Sequence, residues 1–323
     1  MAVSVCVPTH NSSQYIRACL DSVLGQTYGD FELVVSDDAS IDNTCEIVRS
    51  YVDRRIRLLR LDRPMGMAFN FNHAAAQARG KFVKILCHDD LIDPDCLQKQ
   101  VSMLEDHPSL SMVTSALRYV DGGGRELRLS EWSPRRTIFS TADAVAGAIV
   151  HGNVLGPPSA TLIRRQYLLK AGPFSEDFPL LMDMHLWFRL MALGPVGYLR
   201  EPLSSFRLHP EATTEKLRSA GVIRKDVMRM TEAMLGLVHS SPMVRRVAWG
   251  RAAGSFLKQA VAGMRSGHFR WPLEAIWQAI RIDPALAGLA LFLLLFRTGV
   301  LGIEVTHGTE LRVCRGRDVR ERI

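Results

Sequence analysis

The sequence has no C-x-x-C pair, no G-x-G-x-x-G turn after its first strand-like run, no uninterrupted apolar run of bilayer length and no convincing internal repeat. Each absence closes a class. The six cysteines (Cys6, Cys19, Cys45, Cys87, Cys96 and Cys314) are scattered, which argues against a structural zinc site and fits a reduced, cytosolic location. After the first strand the chain reads PTHNSSQ, so a nicotinamide-dependent oxidoreductase lacks its phosphate-binding glycines. The longest apolar stretch, ALAGLALFLLLF at 285–296, stops at Arg297 after 12 residues. Extended to residue 303 it reaches 19 residues with one arginine, just short of the ~20 a spanning helix needs, which favours a buried or interfacial helix. A pI near 9.3 alone, without a binding motif, is a weak argument for nucleic acid, and none is expected as a partner. The opening run VSVCVP reads as a core strand rather than a leader.

What is present describes a globular protein. The 323 residues are 47% hydrophobic and 23% charged, enough for one large domain or two modest ones. The net charge of +7 is unevenly spread: residues 216–281 hold 12 Lys/Arg against 3 Asp/Glu, whereas residues 1–215 are mildly acidic. A division at residue 212 is expected, with 1–212 forming one domain and 213–323 a basic, apolar, helical region.

Within the first part, apolar runs alternate with amphipathic stretches. AVSVCVP, FELVVSDD, RIRLLRL, KFVKIL and SMVTSALRYV read as strands. Residues 12–27, IDNTCEIVRSYV, 67–79 and DPDCLQKQVSMLEDH between them read as helices. Ser12 or Ser13 is the expected cap of the first helix, and Asp93 before Pro94 that of the fourth. The alternation predicts βαβ units on a mostly parallel sheet, whose ligands bind beyond the carboxyl ends of the strands. Two acidic pairs, Asp37–Asp38 and Asp89–Asp90, fall at such ends and could face one site. Carboxylates there can ligate Mg²⁺ or Mn²⁺. The plainer alternatives are that Asp38 stabilises a turn and that Asp90 or Asp93 caps a helix.

Several motifs, in order, resemble glycosyltransferase family 2: the strand ending in Pro8-Thr9-His10-Asn11, S-V-L-x-Q-T at 22–27, FELVVSDDAS, HDDLIDPDCL, MDMHLWFRL and EPLSSFRLH. The resemblance covers about residues 2–210. It implies a GT-A fold, that is, a Rossmann-like mostly parallel sheet flanked by helices, here followed by the helical C-terminal region. It also implies an inverting transfer from a UDP- or dTDP-linked sugar to a hydroxyl of a glycan or lipid-linked acceptor. Carried onto this chain, Pro8, Thr9 and Asn11 line the nucleotide pocket, Asp38 binds the base, and Asp89 approaches the ribose or the metal. Asp90 is then the main ligand of Mg²⁺ or Mn²⁺, with His209 a further candidate, and Asp183 is the general base.

The chain departs from the pattern at Cys87 and Met182, where acids are common in the family, and at His88, where small residues are usual. These departures leave open a catalytically silent nucleotide-sugar-binding module. The bland readings are a helix-start acid for Asp183, a satisfied loop histidine for His209, and core packing for Trp187 and Phe188. Arg207 pairs with phosphate or with a loop carboxylate. The acceptor loops are expected within 121–160. In the C-terminal region, basic positions and Trp271 and Trp277 point to peripheral contact with anionic membrane at the inner face of the cytoplasmic membrane, and the tail from Arg312 onward is expected to be disordered.

Overall fold

In a computed structural model, β1 (Val3–Thr9) is buried along its whole length, as a continuous apolar run at the centre of a sheet must be. The structure describes residues 1–132, 137–151, 153–212 and 223–237, a few positions between 245 and 252, and the stretches 301–305 and 311–315. Around β1 the chain lays down α1 (Ile16–Leu24), β2 (Phe31–Asp37), α2 (Thr44–Arg49), β3 (Ile56–Arg60), α3 (Met67–Ala76) and β4 (Phe82–Ile85). These strands take the order β3-β2-β1-β4 and are all parallel.

The rest of the sheet is mixed. It comprises β5 (Leu91–Ile92), β6 (Met112–Val120), β7 (Glu126–Ser130), β8 (Ile138–Phe139), β9 (Thr161–Arg164) and β10 (Val196–Arg207). Strand β9 runs antiparallel between β4 and β6, whereas β10 runs parallel to β6. The helices of this half are α4 (Cys96–Asp106), α5 (Thr141–His151), α6 (Arg165–Ala171) and α7 (Met182–Leu193), with a short 3-10 turn at Pro158–Ala160. Under the sheet, Ile16, Leu20 and Val23 of α1 and Leu97, Val101 and Leu104 of α4 close one apolar core with Val5, Leu33 and Val113.

Two helix starts differ from expectation. The fourth helix begins at Cys96 after Asp95, and Asp93 instead gives both carboxylate oxygens to Arg118 Nη1, at 2.8 and 2.9 Å. A full ion-pair partner on β6 outcompetes a capping role. Helix α1 begins at Ile16; Ser12 contributes its carbonyl to the Ile16 N–H while its own N–H donates to Thr44 Oγ1.

The chain divides into two units, Met1–Asp226 and Val227–Ile323. The helix α8 (Ile223–Leu237) crosses that boundary. Further on, β11 (Leu301–Val305) and β12 (Leu311–Arg315) pair as an antiparallel ladder, in a stretch where the sequence points to helix and tail. The apolar run 285–296 and most of the basic segment 216–281 lie outside the described residues. Among the described residues, no helix is long and apolar enough to cross a membrane.

Candidate active site

The strand order reverses at β1. Successive strands step away to β2 and β3, and the chain then returns to place β4 on the other side. Ligands of open α/β sheets bind at this switch, outside the carboxyl ends of the strands. The β1–β4 ladder ends at Cys6 opposite Ile85, and Pro8 offers no N–H to prolong it, so the two chains diverge there. Thr9–Asn11 and Cys87–Asp90 leave this crevice on opposite sides.

On the β1–β2 side, the loops lock one another. Asp38, 5% exposed, accepts from the Met65 and Gly66 N–H groups at 2.6 and 3.0 Å. Gly66 has φ +95°, a backbone conformation that glycine tolerates best, and this aims its N–H at the carboxylate. Asp37, fully buried, accepts from the Ser40 N–H and hydroxyl. His10 Nδ1 donates to the Asp38 carbonyl at 2.6 Å, which fixes the tautomer. Asn11 and Ala39 both sit in the left-handed region, at φ 49° and 53°, one in each loop. Asn11 Oδ1 accepts from the Ile41 N–H. Thr9 Oγ1 is buried without a hydrogen-bond partner.

Across the crevice, the second acidic pair divides its work. Asp90 is fully buried; it accepts from Ser159 Oγ at 2.5 Å and from the Arg207 N–H at 2.9 Å. Burial, then the neighbouring Asp89 charge, pushes its carboxyl well above the usual range. Asp89 keeps its side chain at the edge of the crevice and meets His209 Nε2 at 3.0 Å. Burial would raise its carboxyl, but the His209 hydrogen bond and the nearby histidine charges outweigh it, and the net shift is downward. Cys87 Sγ and the Asp89 and Asp90 oxygens lie within 4.8 Å of one another. His209 Nδ1 is buried and unpartnered. The Asp89 and Asp90 carboxylates, with the Cys87 sulfur beside them, offer oxygen donors of the kind Mg²⁺ or Mn²⁺ takes. Both Asp90 oxygens are engaged by protein donors, whereas Asp89 is partly exposed.

Among the described residues, the Arg207 side chain donates to carbonyl groups. Its guanidinium binds the carbonyls of Asp89, Asp121 and Gly122 and lies 5.0 Å from the Tyr15 ring centroid. Tyr15 also packs on His209, with ring centroids 4.8 Å apart. Arg207 therefore holds the β4–β5 and β6–β7 loops together.

Asp183 stands in the first turn of α7, where the helix dipole favours an acid, yet it is only partly exposed. It accepts from the Met184 N–H at 2.7 Å and from Asn153 Nδ2 at 3.3 Å. Burial raises its pKa to about 6, with the hydrogen bonds opposing. Its charge is felt at Cys87, which places it beside the crevice. Trp187 and Phe188 behind it are core residues. Ser159, Asn153 and Tyr15 carry no motif of their own, and no signal in the sequence singles them out.

The structure thus brings Thr9, Asn11, Asp38, Asp89, Asp90, Asp183 and His209 to one end of one sheet, with Pro8 at its floor. Residues 4–168 match the family described as Glycosyl transferase family 2. A curated relative, the uncharacterized protein MT1568 of Mycobacterium tuberculosis, is 33% identical over 227 residues, 65% of this chain and 68% of that one. The chain spans only 35% of two other relatives it matches. Among solved structures, TarS 1–349 of S. aureus in complex with UDP-GlcNAc superposes with a TM-score of 0.60 at 18% identity, covering 98% of this chain and 97% of that one. The mannosyltransferase PcManGT of Pyrobaculum calidifontis, in complex with GDP-Man and Mn²⁺, gives 0.53 at 20% identity, covering 90% and 86%. The GT-A fold accounts for the strand order and the crevice at its switch, and the chain is a glycosyltransferase belonging to glycosyl transferase family 2.

Proposed function

We propose that the protein is an inverting, metal-dependent transferase that moves a sugar from a nucleoside-diphosphate donor to an acceptor hydroxyl. The observation that carries this reading is the placement of Asp183, whose carboxyl burial raises to about 6, beside a crevice that also holds Cys87, Asp89 and Asp90, with His209 on Asp89. A base with a pKa near the working pH combines availability with proton affinity. In the step, the acceptor oxygen bonds to the anomeric carbon while the bond from that carbon to the diphosphate oxygen breaks. The hydroxyl proton passes to an Asp183 carboxylate oxygen, and the bonding pair leaves with the nucleoside diphosphate. Asp89, with His209 and Cys87 alongside, would hold a divalent cation, and that cation would supply positive charge where the diphosphate departs. Asp90 sets the loop on which Asp89 stands.

On the donor side, Thr9, Asn11 and the loop of Asp38 receive the nucleoside. Asp38 can accept the ring N–H of a uracil or thymine base only by sharing or giving up its bonds to Met65 and Gly66. The complexes of PcManGT with GDP-Man and Mn²⁺ and of TarS with UDP-GlcNAc are compatible with such a donor and cation. The acceptor is a glycan or lipid-linked sugar in envelope polysaccharide assembly. Residues 213–323 are assigned peripheral contact with the inner face of the cytoplasmic membrane, on the strength of their basic and apolar composition.

A nucleotide-release screen over UDP-, dTDP- and GDP-sugars, with Mn²⁺ or EDTA, tests the reading. Release from one donor that EDTA abolishes is the expected result, and release indifferent to EDTA overturns the metal's role. Deleting residues 285–323 and fractionating the cells tests the membrane contact; unchanged membrane content refutes it.

A further inference from the structure

The second half of the sheet holds a cavity that the donor chemistry does not use. Its volume is about 290 Å³, and Ser115, Tyr119, Trp132, Asn153, Gly156 and Tyr198 contribute to its lining. It adjoins the base once and the base's helix a second time. Asn153 donates to Asp183, and the Gly156 carbonyl accepts from Trp187 Nε1 on the same helix. The left-handed φ of +76° at Gly156 makes this turn against α7 possible.

The wall is rigid and mixed in character. Trp132 stacks on Phe139 with centroids 3.7 Å apart, meets the Tyr198 ring edge-on at 5.8 Å, and donates its backbone N–H to the Tyr198 hydroxyl. Ser115 is 5% exposed, and its Oγ is buried without any partner. A buried hydroxyl normally finds a hydrogen bond, so an orphan on a cavity wall points to an absent polar group. Aromatic surface beside well-placed hydroxyl and amide groups matches a sugar ring, which presents C–H faces and hydroxyl edges. The volume lies at the lower end of the ~300–1,000 Å³ of ligand pockets and suits one ring. None of the described lining residues is a lysine, arginine or histidine, and Glu131 is among them. Among the described lining residues a phosphorylated headgroup would meet no countercharge, and a cation that reaches them, Arg128, lies over the Tyr119 ring.

We propose that this cavity is the acceptor subsite, taking one neutral hexopyranose or N-acetylhexosamine ring at the end of a glycan and turning its attacking hydroxyl past Asn153 towards Asp183. The proposal rests on the transferase reading above and narrows its acceptor to an uncharged terminal sugar. The test is saturation-transfer NMR on the full chain with a panel of methyl hexosides and methyl N-acetylhexosaminides. At least one glycoside binds the wild type; Ser115→Leu, which fills the cavity, abolishes that binding, and Ser115→Ala weakens it about 3- to 10-fold. Thermal melts verify that both variants fold, and Ser115→Ala carries the test where Ser115→Leu does not. A panel that never binds, or one that binds both variants as it binds the wild type, overturns the subsite. Nucleotide release by the wild-type protein keeps the two readings apart. Release without glycoside binding overturns the subsite alone, and glycoside binding without release from any donor overturns the transferase reading and the acceptor role with it.

Discussion

The two halves of the sheet are built by different rules and do different work. The parallel half, β3-β2-β1-β4, comes from local βαβ units, and its strand ends carry Asp37, Asp38 and the Thr9–Asn11 loop. The mixed half, β9-β6-β10-β5, is assembled from segments far apart in sequence, and it supplies Ser159, Asp183, Arg207 and His209. On the parallel side Asp37 and Asp38 are satisfied mainly by backbone N–H groups of nearby loops, which fixes those loops in place. On the mixed side Asp89, Asp90 and Asp183 each meet a side chain from a distant element. On the proposed reading the binding half is separable from the chemical half, and substitutions in each should fail differently.

The largest break lies in the chemical half. Asp183→Asn removes the base and keeps the shape, so transfer should fall about 10²- to 10⁴-fold while nucleotide affinity is retained. Calorimetric titration with the nucleoside diphosphate, alongside the transfer assay, reads both; normal turnover would take Asp183 out of the mechanism. The wild-type pH profile sharpens the same point. Burial disfavours the anion and raises the pKa to about 6, so the proton-free base is present above that value and lost below it. The kcat/KM for the acceptor should rise with a midpoint near pH 6. A limb centred in the ordinary carboxylate range near 4 would show that the buried acid is not the base.

Next in size is the junction. Asp89→Asn removes the charge that faces His209 and, on the proposed reading, the cation, and transfer should drop about 10²- to 10³-fold, consistent with the several kcal/mol a metal supplies to a departing group. Manganese titration followed by electron paramagnetic resonance distinguishes lost metal binding from lost folding.

The parallel half should break more gently. Asp38→Asn leaves one oxygen to serve the two N–H groups of Met65 and Gly66, which loosens that loop. A rise of about tenfold in donor KM with little change in kcat is expected, equal to about 1.4 kcal/mol of binding. A fall in kcat at unchanged KM would move Asp38 into the chemical half.

The two halves were not equally legible in the sequence. Period-2 and period-3.6 patterns and the strand-end acids located the parallel half, because βαβ units are local and their buried strands are continuous apolar runs. The mixed half resisted for the opposite reason. Nothing in TLIR announces that β9 will insert antiparallel between β4 and β6. Lys84, the cation inside KFVKIL, is fully buried, with Nζ bonded to Gln100 Oε1 and the Thr161 carbonyl. Adjacent acids are also indistinguishable as letters. Asp89 and Asp90 stand side by side at a turn closed by the Asp90 N–H on the Cys87 carbonyl, and only the arrival of Ser159 and of the Arg207 N–H from distant segments shows which of them is enclosed.

The smallest effect tests that last distinction. Asp90 is enclosed, and its environment already favours the neutral form. Asparagine is neutral and nearly the same shape; its oxygen can accept from the Arg207 N–H while its amide donates to Ser159 Oγ. Asp90→Asn should therefore hold manganese within a few-fold of the wild type and lose no more than a few degrees of thermal stability, about 1 kcal/mol. Removing the hydrogen bonds altogether with Asp90→Leu should cost more, since Ser159 and the Arg207 N–H would then be buried unpaired. If Asp90→Asn instead abolishes manganese binding while Asp89→Asn preserves it, the two acids exchange roles: the enclosed carboxylate is the ligand, and the loop must open to load the cation.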